Sequence, residues 1–146
     1  MTAHDIWALI DDRAGNTAQT LGVAEALGRG FRQIRVDYDR FARLPNLLRG
    51  ARLLGVAAES RVELADPPPK LVIAAGRRLA PVARWIKRGS PHPVALCQIM
   101  DPGWPGRADF DLIAIPNHDG RAPEAGNLLR VTGAPEGFLA AWEANR

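Results

Sequence analysis

Cysteine is nearly absent: Cys97 is the only one in 146 residues. A single thiol excludes an intrachain disulfide framework and a CxxC metal knuckle. Its place inside an apolar run marks it as a small buried hydrophobe. No apolar run approaches the ~18 residues of a membrane-spanning helix, and the basic-then-apolar pattern of a signal peptide is missing. A cytoplasmic protein without a membrane span is therefore expected. The four Trp and one Tyr supply no repeated platform on which nucleic-acid bases stack. A basic block is lacking too. The 19 Lys+Arg are spread along the chain and leave a net charge of +3, with a pI of about 9.7. Weak attraction to anions follows, but not a nucleic-acid groove. The three histidines show no HxxxH or HxH spacing, so no metal is expected. GxGxxG and GxxxxGK[ST] are both absent, which removes a dinucleotide fingerprint and a P-loop triphosphatase. No cofactor is expected.

What the chain does have is a recurring pattern of loops. Four apolar, strand-like runs each end in a polar, glycine- or proline-containing burst: Asp11-Asp12-Arg13-Ala14-Gly15-Asn16, Gly76-Arg77-Arg78, Gln98-Ile99-Met100-Asp101-Pro102 and Pro116-Asn117-His118-Asp119-Gly120. In an open α/β sheet such loops meet along the edge formed by the strands' carboxyl ends, where ligands bind.

The elements between the loops alternate. Ile6–Ile10 and Leu71–Ala75 are continuous apolar runs of the kind buried on both faces of a sheet. Gln33–Asp37, Val94–Ile99, Leu112–Ile115 and Leu128–Val131 supply four more strands. Helices are expected from about Thr17 to Leu27, with Ala18, Leu21, Ala24 and Leu27 facing inward, and behind Gly76, where Leu79, Val82, Ala83 and Ile86 share one face. Leucines at helical spacing predict another from Leu44 to Leu54, residues 55–66 read as irregular, and Glu136–Asn145 closes the chain as a helix. Between Ile99 and Leu112 there is room for a loop or a single turn only. The expectation is one Rossmann-like α/β domain over 1–146, an open and mainly parallel sheet of about six strands with helices on both faces.

Arg77 and Arg78 are the sharpest local signal for a site. At the start of a helix two cations oppose its dipole at a cost of roughly 0.3–1 kcal/mol each. An anion held between backbone N–H groups and guanidinium groups reverses that cost; two solvated arginines on a helix face are the alternative. Gly76 allows a tight turn and a close approach to a ligand. Asp11, Asp12 and Arg13 follow the first strand. Gly15 lets a phosphate or hydroxyl reach the helix start, while Asn16 or Thr17 would serve equally as a cap. His118 is a candidate general base, oriented by Asp119 or Asp101; a hydrogen-bonded loop histidine is the competing reading. His4 and His92 precede their strands, at the opposite edge.

The stretches Trp7–Asn16, Ala74–Ile86 and Gln98–Pro102, then Phe110–Ile113, Pro116–Asp119 and Thr132-Gly133-Ala134, resemble the mitochondrial-fission family named for elongated mitochondria in plants. The resemblance runs along nearly the whole chain. Bacterial members are similar to GT-B glycosyltransferases, and some carry the label of predicted nucleoside-diphosphate-sugar epimerases. The resemblance implies the N-terminal, acceptor-side half of a two-domain protein, whose ligand is a sugar or nucleotide sugar. Its other wall would be a C-terminal domain or a homodimer partner. Any enzyme activity would be glycosyltransferase-like, with His118 and Asp119 as catalytic residues. Asp11, Asp12, Arg13, Gly15, Asn16, Gly76, Arg77, Arg78 and Asp101 would bind ligand. A short-chain-reductase-type epimerase needs Tyr-x-x-x-Lys, but the only tyrosine, Tyr38, has Ala42 four residues on. The alternative implied by the plant relatives is a non-catalytic protein-interaction module.

Overall fold

The computed structural model describes residues 5–103, 106–116 and 128–131. Six strands form one sheet: β1 (Ile6–Ile10), β2 (Arg32–Arg35), β3 (Leu71–Ala75), β4 (Ala95–Ile99), β5 (Leu112–Pro116) and β6 (Leu128–Val131). Their order is β2-β1-β3-β4-β5-β6, and every neighbouring pair is parallel. The chain steps from β1 outward to β2 and returns to β3 on the other side of β1. From there it advances strand by strand. The reversal lies between β1 and β3.

Helices cover both faces, as parallel strands require. Alternation along each strand divides the core in two. Ile6, Ala8, Ile73 and Cys97 pack with Val23 and Ala24 of α1 (Ala14–Ala26). Trp7, Leu9, Val72 and Leu96 pack on the other face with Leu64 of α3 (Ala58–Leu64) and with Val82, Ala83 and Ile86 of α4 (Ala80–Gly89). Right-handed crossovers explain the division, because reversing direction at β1 moves the following helices to the opposite face. Burial in this core raises the Cys97 thiol pKa, with a smaller contribution from Asp111, so the group is an inert hydrophobe.

The apolar runs Ile6–Ile10, Leu71–Ala75 and Leu128–Val131 are strands with the expected bounds, and Leu79, Val82, Ala83 and Ile86 are all buried. Three local expectations fail. Helix α1 starts at Ala14, a turn early, and buries Thr20, Val23 and Ala24 while Ala18 is exposed. The Leu44–Leu54 helix does not form. A 3-10 turn over Arg40–Arg43 leads instead to α2, which spans only Asn46–Arg49 and stops at Gly50, where φ is +60°. The segment read as irregular contains α3. The final helix expected over Glu136–Asn145 lies outside the described residues.

Residues 37–57 are held by polar contacts rather than by periodic packing. Tyr38 and Val56 form an isolated antiparallel bridge, and the Asp39 N–H donates to Gly55 O at 2.9 Å. Irregular backbone leaves carbonyls that need donors. Arginine forks provide them: Arg61 donates to Val56 O and Leu53 O, and Arg52 to Arg49 O and Leu48 O.

The β4–β5 connection holds one 3-10 turn, Arg107–Asp109, as its length requires. Asp109 clamps it to α4, accepting from Arg84 at 2.8 Å and Arg88 at 3.1 Å. Burial works against the carboxylate, but these two cations outweigh it and hold Asp109 below the usual Asp range. The folded pKa is the lower one, so the stabilisation is complete above the unfolded value and fades as pH falls through the folded one. Asp109→Asn is expected to cost about 1–3 kcal/mol near pH 7. In urea unfolding, the gap between the two proteins should shrink at about pH 3; an unchanged gap would contradict the clamp.

Candidate functional site

The reversal of strand order brings the carboxyl ends of β1 and β3 together, with β4 beyond. A cleft of about 620 Å³ opens there.

Its first wall follows β1. Asp11 is turned inward: one carboxylate oxygen accepts the Arg13 N–H at 3.0 Å, the other the Tyr38 hydroxyl at 3.0 Å. Burial, then the Asp11 charge, push the Tyr38 phenol well above its ordinary value, so it stays protonated and donates. Thr17 donates its hydroxyl to Asp11 O at 3.0 Å. The expected cap by Asn16 or Thr17 is therefore absent. Arg13 occupies the cap position without a side-chain hydrogen bond, and the first turn of α1 holds no acid. N–H groups of that turn have no intrahelical acceptor, and they sit at the positive end of the dipole. Gly15 has open space where a Cβ would lie.

The second wall follows β3. Gly76 has φ +90°, and a Cβ there would meet Asn16 Nδ2 at 2.5 Å. Glycine thus lets the two strand ends approach. The buried Gln98 of β4 donates its Nε2 to Gly76 O at 2.8 Å and fixes the turn from behind. Arg77 and Arg78 lie in the turn before α4, one step outside the helix whose first residues they were expected to be. Arg78 stacks over Tyr38 at 4.2 Å from the ring centroid and pairs with Asp12 at 3.3 Å. Arg77 is exposed and has no ion pair among the described residues.

The third side comes from β4 and the long β2–β3 connection. Met100 is a non-glycine residue at φ +72°, a conformation that costs about 1–3 kcal/mol and persists only when its surroundings impose it. Its N–H is held by Ala114 O at 2.7 Å. Asp101 accepts from Gly103 N at 3.0 Å and from Arg107 Nε at 3.1 Å. Asn46 staples the loops by donating to Arg77 O at 3.1 Å and Pro102 O at 2.8 Å.

Five arginines line the cleft: Arg13, Arg43, Arg49, Arg77 and Arg78. Only Arg78 has a carboxylate partner among the described residues. Asp101 is the one acid in the lining, and Arg107 already holds it. Arg49 is 0% exposed. Its Nε donates to Leu54 O at 3.2 Å and its Nη1 to Arg78 O at 3.0 Å. Burial, with Arg78's charge beside it, lowers the Arg49 pKa.

Of the residues expected at the site, the structure brings Arg13, Asn16, Gly76, Arg77, Arg78 and Asp101 onto the cleft. Asp11, Asp12 and Gly15 sit beside it without lining it. His118 and Asp119 lie outside the described residues. His92 is exposed, its ring nitrogens 3.1 Å from Pro93 O and 3.2 Å from Pro68 O. Sequence reasoning missed Arg43, Asn46, Arg49 and Met100. The acid-free stretch from Arg40 to Ala58 was the one signal for the arginines. The described lining holds excess positive charge and no His, Cys, Glu or Lys. An excess of fixed positive charge of this kind attracts anions. Among the described residues no group of acids, His and Cys is placed to hold a metal, and no helix is long and apolar enough to cross a membrane.

Residues 14–146 match the family described as Mitochondrial fission ELM1. An uncharacterized protein of Rickettsia prowazekii is 36% identical over 118 residues, covering 80% of this chain and 33% of the relative. The chain thus spans about a third of that relative's length. No solved structure matches it. With nearly all of its length matched, the chain belongs to the mitochondrial fission ELM1 family.

Proposed function

We propose that this chain is the anion-binding, acceptor-side half of a GT-B-like protein that handles sugars or nucleotide sugars in the cytoplasm. One observation carries the reading: arginines without carboxylate partners converge with the acid-free N-terminus of α1 where the strand order reverses. That junction is where open α/β sheets take their ligands. Guanidinium forks and helix N–H groups both favour phosphate-type anions. Asp12 and Asn16 stand beside the arginines and suit sugar hydroxyls, with Asp11 holding the loop behind them. His118 with Asp119 is the proposed base for any transfer step. A facing wall, beyond the three sides this chain supplies, would come from a further domain or a second copy; a relative about three times as long as the matched part favours the further domain.

The test is calorimetry with glucose 1-phosphate and UDP-glucose. The Arg77→Ala/Arg78→Ala double variant is expected to bind at least about tenfold more weakly, the worth of one charge-assisted hydrogen bond. Unchanged affinity would remove the anion role from these residues.

A second reading is a protein-interaction module. Exposed Phe41, Leu47 and Leu48 beside the cleft favour it. If neither ligand binds the native chain, this is the reading left standing.

A further inference from the structure

Arg49 is unusual by every physical criterion available. Long cationic side chains are almost never fully buried unless paired, yet this one is 0% exposed and forms no ion pair among the described residues, Asp39 acting on its charge only weakly and from outside contact range. Its Nη2 has no hydrogen-bond partner and less than 1 Å² of exposure. Among the described residues two other buried side-chain atoms share that state, Thr20 Oγ1 and Gln98 Oε1. Neither residue lines the cleft, and neither carries charge. Arg49 does line it.

A structural role accounts for only part of the side chain. Nε and Nη1 tie the Leu54 and Arg78 carbonyls together, a task for neutral donors as much as for a guanidinium. The charge and the third donor group remain unexplained. Arg78 makes matters worse, since it stacks on the same Tyr38 ring that Arg49 approaches at 6.0 Å. Two cations share one ring while only Arg78 has a carboxylate, Asp12, so the pair is short of one negative charge.

We propose that Arg49 is the buried counter-charge of a phosphoryl group seated at the floor of the cleft, with its covered Nη2 shifting to donate to a phosphoryl oxygen as the group enters. The inference rests on the anion-binding reading of the cleft and adds the ligand class and the residue that selects it. The geometry favours phosphoryl over carboxylate. A carboxylate offers one charge and two coplanar oxygens, which a single fork satisfies. The cleft offers Arg49 from below, the open first turn of α1 from one side and Arg77 from another. Donors from several directions suit a tetrahedral phosphoryl group, which has three free oxygens and up to two charges when terminal and two free oxygens out of one plane when bridging. The phosphoryl group is terminal in a sugar phosphate or bridging in a nucleotide sugar. Glucose 1-phosphate and UDP-glucose, compared as ligands, tell the two sources apart.

The experiment titrates the whole chain with inorganic phosphate, with acetate as the planar, singly charged comparison. Phosphate is expected to bind and acetate to bind far more weakly. Arg49→Met should weaken phosphate binding roughly tenfold, as for one lost hydrogen bond to a charged group, while its urea midpoint falls only modestly, because the Leu54 and Arg78 carbonyls lose their donors but a buried charge has gone. Arg49→Lys, which keeps the charge but not the fork, should also bind weakly. If Arg49→Met does not fold, the native protein still decides. Phosphate should shift the Arg49 guanidinium NMR signals and leave those of Arg52, outside the cleft, in place. Unmoved Arg49 signals, or native-like phosphate affinity in Arg49→Met, overturn the proposal. If the Arg77→Ala/Arg78→Ala protein has meanwhile lost phosphate, the cleft reading survives that result. Acetate binding as tightly as phosphate overturns the phosphoryl class. No phosphate binding to the native chain sinks both.

Discussion

Trp7→Ala is expected to remove about 3–5 kcal/mol, the range for truncating a buried aromatic side chain. Trp7 is 1% exposed and lies in β1 with a strand paired on each side, opposite Arg32 on β2 and Val72 on β3. It belongs to the core layer that α3 and α4 cover. Strand neighbours held on both edges cannot collapse into the space an indole vacates, which puts the cost toward the upper end. Domains are stable by only about 5–15 kcal/mol, so the variant should lose a large share of its folded population. Urea unfolding reads this as a much lower midpoint at an unchanged slope. A loss below about 1 kcal/mol would mean that the core around β1 is loosely packed.

Gly55→Ala is the second large effect, about 2–5 kcal/mol. Gly55 has φ +92°, and a Cβ there would lie 2.7 Å from Ala42 N and 2.8 Å from Ala42 Cα. The left-handed conformation costs an alanine roughly 1–2 kcal/mol. The contact with backbone adds the cost of overpacking, about 1–3 kcal/mol, because no side chain can swing away. Gly28→Ala separates the two terms: its φ is +68° and nothing lies within 4 Å of its Cβ position, so it pays the conformational term alone. Equal losses at both sites would refute the contact with Ala42. Ala42 and Arg43 line the cleft, so Gly55→Ala should also weaken anion binding, whereas Gly28→Ala should not.

The strands were legible because a parallel sheet covered on both faces writes itself as short, unbroken apolar runs. Ile6–Ile10 and Leu71–Ala75 needed no periodicity to be recognised. The strand-end loops were legible for the same reason, since topology alone gathers them at one edge. The β2–β3 connection was not. Leu44, Leu47 and Leu48 have helical spacing, but Gly50 adopts φ +60° and ends the helix after four residues. What holds this segment is arginine donating to carbonyls, a contact that leaves no mark on hydropathy. Arg49 shows the limit most plainly. In sequence it is one more cation among leucines, and only the three-dimensional path of the chain reveals that it is buried. Asn16 was misread in a milder way: it looks like a cap but sits within the first turn of α1, against Gly76.

The sheet order also sets a timetable for synthesis. Of the six strands β1 is made first and is an inner one, and its partner on the β3 side pairs Ile6 with Leu71. At roughly 5–20 residues per second, Ile6–Ile10 waits several seconds for that neighbour to be translated. Throughout that interval a wholly apolar strand has β2, four residues long, on one edge and α1 on one face, while its other edge stays unpaired. The nascent chain is therefore most exposed to aggregation and to chaperone capture before Leu71–Ala75 emerges.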